Sequence, residues 1–197
     1  MIRNFASKLM LFIIIMLIAF CIVVHAEEIK QGIQKLPQIS QDDSRMTSDQ
    51  FTYGLLGNLK NVSGSILAYS IEYDIDPILV ASIAALESGW DSSPVAERYN
   101  NLFGWTNNDG TYKVFETKDE CIEFVCKQIK ENYLTPNGKY FEGYEIAYIC
   151  VHYNGSEEWT KAVIEIYEQI TNRVNEYKYY KMVNISNKGL QSNMVCI

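Results

Sequence analysis

Apolar residues along this chain fall into blocks that differ in length and period. Residues 9–24 form an unbroken apolar run, preceded by Arg3 and Lys8, and no acidic residue comes before Glu27. Such a block reads as an export signal, predicted to form an N-terminal hydrophobic helix, and it approaches the roughly 20 residues that cross a bilayer. The small residue Ala26 permits cleavage, so a removed signal over residues 1–26 and a retained membrane anchor both stand. The basic flank leaves the following domain outside the cell in either case. Residues 27–50 are polar, mixed in charge and interrupted by Pro37, which predicts a linker.

Helical periodicity starts near Asn61 and passes through Ile66, Leu67 and Tyr69 to Asp74. A second helix is predicted over residues 77–88, with Asp76 as N-cap, Pro77 in the first turn and Gly89 at the end; residues 78–86 are apolar apart from Ser82. Turn formers then take over, from Asn100 and Asn101 to Asn107, Asn108, Asp109 and Gly110. Asp109-Gly110 signals a hairpin, and the alternation around Tyr112 and Val114 predicts a small β-hairpin flap. Thr117 and Glu120 have capping-box spacing before a helix to about residue 132, with Cys121, Ile122, Val125 and Ile129 inward. Beyond Pro136-Asn137-Gly138, a helix is expected over residues 144–152. Ser156 can cap a long one whose inner face is Trp159, Val163, Ile166, Tyr167, Ile170 and Val174. The pattern fades after Lys181, so the reading is a mainly α domain over residues 51–180 followed by a tail over 181–197.

Charge narrows the partners. Without residues 1–26 the chain has 15 basic and 24 acidic residues, a net charge of −9. That field excludes nucleic acid and argues against docking of the globular part on anionic lipid, leaving membrane contact to the N-terminal segment only. The cysteines after the signal, Cys121, Cys126, Cys150 and Cys196, match no zinc spacing. Outside the cell they permit disulfides, and buried thiols fit equally well. His152 is the only histidine beyond residue 26, so a histidine-built metal site and a cysteine–histidine hydrolase drop out.

One acid stands apart. Glu87 is the only ionisable residue in the predicted helix 77–88, at the end of an otherwise apolar cylinder. Desolvation and the negative end of the helix dipole both disfavour its ionised form. A carboxyl kept protonated near neutral pH can give its proton to a departing sugar oxygen; the bland alternative is a carboxylate frayed into water. Such chemistry needs no metal and no organic cofactor.

The setting of Glu87 is Ala85-Leu86-Glu87-Ser88-Gly89-Trp90, followed by Asn100-Asn101-Leu102-Phe103-Gly104-Trp105. This pair resembles the signature of the bacterial glucosaminidase family, endo-β-N-acetylglucosaminidases that cut peptidoglycan glycan strands. The likeness covers about residues 60–170 and implies a lysozyme-like helical domain with Glu87 as the catalytic acid. Lytic transglycosylases share the Glu-Ser-Gly element but continue with a Gly-Leu-Met-Gln type turn, which Asn101-Leu102-Phe103-Gly104 does not match. His152-Tyr153-Asn154-Gly155 resembles the Tyr-Asn turn that closes the cleft, so the resemblance puts the Tyr153 hydroxyl near the acid and Asn154 beside the sugar. The amides of Asn100 and Asn101 can hold sugar hydroxyls or an acetamido group, and Trp90, Phe103 and Trp105 can face pyranose rings. Turn formation and packing are the competing roles, and for Phe103 packing is favoured. Family members carry a second acid on the hairpin lobe; Asp109 and Glu116 are the nearest candidates, and neither falls on a motif position. Without one, the substrate's own acetamido group can do that work, or activity is reduced. The expected partner is the peptidoglycan glycan strand, met at the wall or at the outer membrane face. A competing reading is a glycan-binding scaffold in an envelope assembly.

Overall fold

The computed structural model describes residues 46–194, with side chains through 177 and at 180 and 181. The hydrophobic segment at residues 9–24, nearly all of the linker and Cys196 therefore lie outside the described residues. Among those described, seven α-helices form. In chain order they are α1 (Ser48–Gly54), α2 (Ser63–Glu72), α3 (Pro77–Ser88), α4 (Pro94–Tyr99), α5 (Lys118–Tyr133), α6 (Ile146–Tyr153) and α7 (Glu157–Met194). None is long and apolar enough to cross a membrane.

Helix α1 begins inside the stretch expected to be linker. Thr47 starts it: its Oγ1 accepts from the Gln50 amide at 3.3 Å, and the Gln50 side chain accepts from the Thr47 amide at 2.8 Å. This reciprocal pair satisfies two amides that a helix start leaves open. Gly54 ends α1 against α7, where a Cβ would stand 2.7 Å from Val174 Cγ2. Arg173 then takes up the last carbonyls of α1, donating to Gly54 O at 3.0 Å and Tyr53 O at 2.9 Å.

Helix α3 runs through the centre of the domain, with Pro77 to Ala85 all buried. Each fully buried Leu, Ile or Val there contributes about 1.5–3 kcal/mol. Its start follows the sequence: Asp76 accepts from the Ile78 amide at 2.8 Å, and its other oxygen accepts from the Tyr167 hydroxyl at 2.5 Å, tying α3 to α7. Helix α7 packs along α3, α1 and α6, while α5 covers α2. Its backbone stays helical to Met194, past the point near Lys181 where the apolar pattern ends. No proline intervenes, and extending a helix is far easier than starting one.

Helix α4 was not anticipated, because six residues are too few to show a period. Its local signals are present, with Ser93 accepting from the Ala96 amide at 3.1 Å and Pro94 in the first turn. The expected two-stranded flap appears here only in minimal form. No strand forms among the described residues, and one antiparallel bridge, Thr106 with Tyr112, closes a tight loop. Backbone bonds from Lys113 N to Trp105 O and from Asn107 N to Thr111 O, both 2.8 Å, pair its two arms, and side-chain amides brace its base: Asn101 Nδ2 donates to Trp105 O and Lys113 O, and Asn100 Nδ2 to Phe115 O and Glu116 O.

Cys121, Cys126 and Cys150 are free and buried. Burial pushes each thiol up to about 12, so they behave as small apolar side chains.

Candidate active site

Glu87 occupies the last turn of α3, and the chain beyond it is shaped unusually. Gly89, Trp90 and Asp91 are all left-handed, with φ of 58°, 61° and 63°. For Trp90 and Asp91 this conformation costs roughly 1–2 kcal/mol each. The surroundings hold it in place. The Trp90 amide donates to Ala85 O at 2.9 Å, its carbonyl accepts from Leu59 at 3.2 Å, and the Asp91 amide donates to Ser88 Oγ at 2.8 Å. The buried Asp91 carboxylate receives Lys118 Nζ at 2.5 and 2.7 Å. Trp90 keeps a partly exposed ring beside this turn.

The Glu87 carboxyl is half-buried. Its Oε1 accepts from the indole Nε1 of Trp159 at 2.7 Å. On the other side lies the backbone of Gly104, where a Cβ would come within 3.2 Å of Oε2. Burial holds the carboxyl above its ordinary value of 4.5, and the indole hydrogen bond acts the other way without cancelling it. Glu87 is thus a desolvated acid with one fixed donor. It can hold a proton to higher pH than a free carboxylate and release it to a basic oxygen nearby.

Tyr153, the last residue of α6, joins this corner. Its ring stacks on Trp159 with centroids 5.3 Å apart and planes at 14°, and Tyr133 lies 6.2 Å away on another side. Part of the ring is exposed, yet the hydroxyl oxygen is buried with no hydrogen-bond partner among the described residues. Burial first, and the charge of Glu87 second, hold its phenol well above 10. It is therefore a neutral hydroxyl with unspent donor and acceptor capacity. Asn154 follows at the end of α6, exposed, its amide donating to Cys150 O at 3.1 Å.

Trp159 is the site residue that the sequence reading assigned only to packing. Ser156, recognised as a cap, accepts from the Trp159 amide at 3.2 Å and places it in the first turn of α7. The signal that could have singled it out is a donor-bearing aromatic six residues after Tyr153, at the mouth of a newly started helix.

Several of the other expected site residues make contacts of their own. Asn101 is 1% exposed; both its N–H groups go to carbonyls and its oxygen accepts from the Trp105 amide at 3.0 Å. In this structure it braces the loop, with both of its side-chain N–H groups engaged by Trp105 and Lys113. Asn100 caps α4 in left-handed conformation, and both of its N–H groups are likewise donated to carbonyls. Phe103 is buried in the core, and Trp105 packs edge-on against Phe124 at 5.1 Å. Asp109 turns back on its own loop, accepting from the Thr111 amide and hydroxyl, and those bonds hold it below the usual carboxylate value. The Glu116 side chain is exposed, and its amide donates to the Glu120 carboxylate at 2.7 Å. Neither acid is among the causes of the Glu87 shift. Among the described residues no cluster of His, Cys, Asp or Glu is arranged to hold a metal ion.

The Glucosaminidase family model, described as mannosyl-glycoprotein endo-beta-N-acetylglucosaminidase, matches residues 64–184. Two proteins from strains of Streptococcus pneumoniae, provisionally named endo-beta-N-acetylglucosaminidases, are 29% identical to the chain over 120 residues. The matched part is 59% of this chain and 18% and 17% of theirs, so the chain spans less than a fifth of these curated relatives. Among solved structures, the catalytic domain of the autolysin Auto from Listeria monocytogenes superposes with a TM-score of 0.48 at 14% identity, over 76% of this chain and 96% of that one. A type VI secretion system effector–immunity complex from Pseudomonas protegens gives a TM-score of 0.48 at 11% identity, over 64% of this chain and 94% of that one.

Proposed function

The chain belongs to the glucosaminidase family, and on that footing we propose that it is a glycoside hydrolase that cuts peptidoglycan glycan strands after N-acetylglucosamine, with Glu87 as general acid. The observation that carries the reading is the corner itself. A half-buried carboxyl with a raised pKa is hydrogen-bonded by Trp159 and lies within the electrostatic reach of a buried, unpartnered Tyr153 hydroxyl. In the lysozyme-like arrangement that this proposal includes, the glycan lies across the end of α3.

Protonated Glu87 gives its hydrogen to the bridging oxygen. The C1–O bond breaks, its electron pair stays with the leaving sugar, and Glu87 is left as a carboxylate. The proposal takes the acetamido-assisted route, which needs no second carboxylate. There the substrate's N-acetyl oxygen bonds to C1 as the bridging bond breaks. Water then attacks C1 and opens the ring so formed, returning a proton to Glu87. The unspent Tyr153 hydroxyl is suited to orient that acetamido group. Export by the apolar segment at residues 9–24 completes the proposal, because the substrate lies outside the cell.

Mass spectrometry of wall digests tests it. Fragments with reducing-end N-acetylglucosamine support the reading, whereas 1,6-anhydro-muramic ends overturn it in favour of a lytic transglycosylase. Wall binding without any cleavage, unchanged by Glu87→Gln, transfers the case to a scaffold.

A further inference from the structure

The two oxygens of Glu87 have different surroundings. Oε1 faces the Trp159 indole N–H at 2.7 Å. An indole nitrogen donates and cannot accept, so Oε1 acts as acceptor; the carbonyl oxygen of a neutral carboxyl accepts better than its hydroxyl oxygen, which favours the hydrogen of protonated Glu87 on Oε2. Oε2 faces Gly104, which has a left-handed φ of 61° and no side chain; a Cβ there would stand 3.2 Å from Oε2. From this geometry we propose that Trp159 is the positioning residue of the acid: it pins Oε1, makes Oε2 the proton-carrying atom, and directs the glycosidic oxygen to approach past Gly104. The inference rests on the glycosidase reading above.

Trp159 is held firmly enough for this role. Ser156 fixes its backbone at the start of α7, and the Tyr153 ring lies nearly parallel to its own, so the direction of the indole N–H is set from two sides. As the Oε2–H bond breaks and the new O–H bond forms on the leaving sugar, negative charge develops on Glu87. A hydrogen bond to a carboxylate is stronger than one to a neutral acid, so the indole bond tightens along the reaction. It also offsets part of the effect of burial and so keeps Glu87 willing to release its proton.

Trp159→Phe keeps an aromatic ring against Tyr153 and removes the N–H. Carbon-13 NMR titration of Glu87 in the substrate-free full chain is expected to show a higher pKa than in the native chain. The basic limb of kcat/KM against pH should move up with it, and kcat should fall about 10- to 100-fold with KM little changed. A folded Trp159→Phe protein whose Glu87 titrates as in the native chain overturns the proposal. That titration needs no substrate, so it reads the role of Trp159 separately from the wall digests; native protein that leaves peptidoglycan intact defeats the functional reading instead. Gly104→Ala probes the approach side: a lowered kcat is expected, and full kcat overturns the assignment of Oε2.

Discussion

The corner around Glu87 and the loop from Asn100 to Glu116 are both rich in polar groups, yet they use them in opposite ways. In the loop the side-chain N–H groups of Asn100 and Asn101 are donated to backbone carbonyls, and Asp109 accepts from its own neighbour Thr111. At the corner Glu87 has one donor, Trp159, and the Tyr153 hydroxyl has no partner at all among the described residues. Buried polar groups are normally satisfied, since leaving one unmade costs about 1–3 kcal/mol. Under the proposed function, the polar capacity left unspent beside the desolvated acid is where the glycan would complete the bonding. Fully spent capacity marks a brace.

This contrast is open to attack from both sides. The largest effect belongs to Glu87→Gln, which should lower glycan hydrolysis about 10²- to 10⁴-fold while far-UV circular dichroism stays unchanged. A variant that keeps most of its activity would place the acid elsewhere. Asn101→Ala should act in the complementary way, lowering unfolding stability in urea by about 1–3 kcal/mol, because the Trp105 amide and two carbonyls lose a buried partner. The activity of the fraction that stays folded should change little; a raised KM at native stability would return Asn101 to the binding groups.

Smaller effects sharpen the picture. Burial raises Glu87 above 4.5 in the folded chain, so folded protein keeps this proton where unfolded protein has released it. The stability this supplies is full below pH 4.5 and is lost as pH rises through the raised folded value. Glu87→Gln removes the effect, so its urea midpoint relative to the native chain should climb across that window and stay level below it. A pH-independent difference between the two would mean that Glu87 is not desolvated. Smallest of all, Asp109→Asn should leave both cleavage and stability essentially where they were, as measured by wall turbidity and urea unfolding, because that carboxylate serves only its own exposed loop.

Much of this was legible in the chain itself, for local reasons. Asp76, Pro77 and Gly89 punctuate α3, Thr117 and Ser156 start α5 and α7, and a lone acid ends an apolar cylinder; each signal acts over a few residues. The family motif could therefore be read directly, and residues 64–184 match the family; so could the raised pKa of Glu87. What depended on residues distant in sequence could not. The partner of Glu87 is 72 positions away, and although Trp159 is the one indole on α7, nothing along the chain says that its N–H will point at this acid. The same holds for the loop, where Asn101 looks like a ligand by type and becomes a brace because Lys113, 12 residues on, folds back onto it. Local chemistry determined where helices start, where they stop and which acid is desolvated. Tertiary packing alone decided which polar groups are used up and which stay available, because hydrogen-bonding capacity is allotted by neighbours in space.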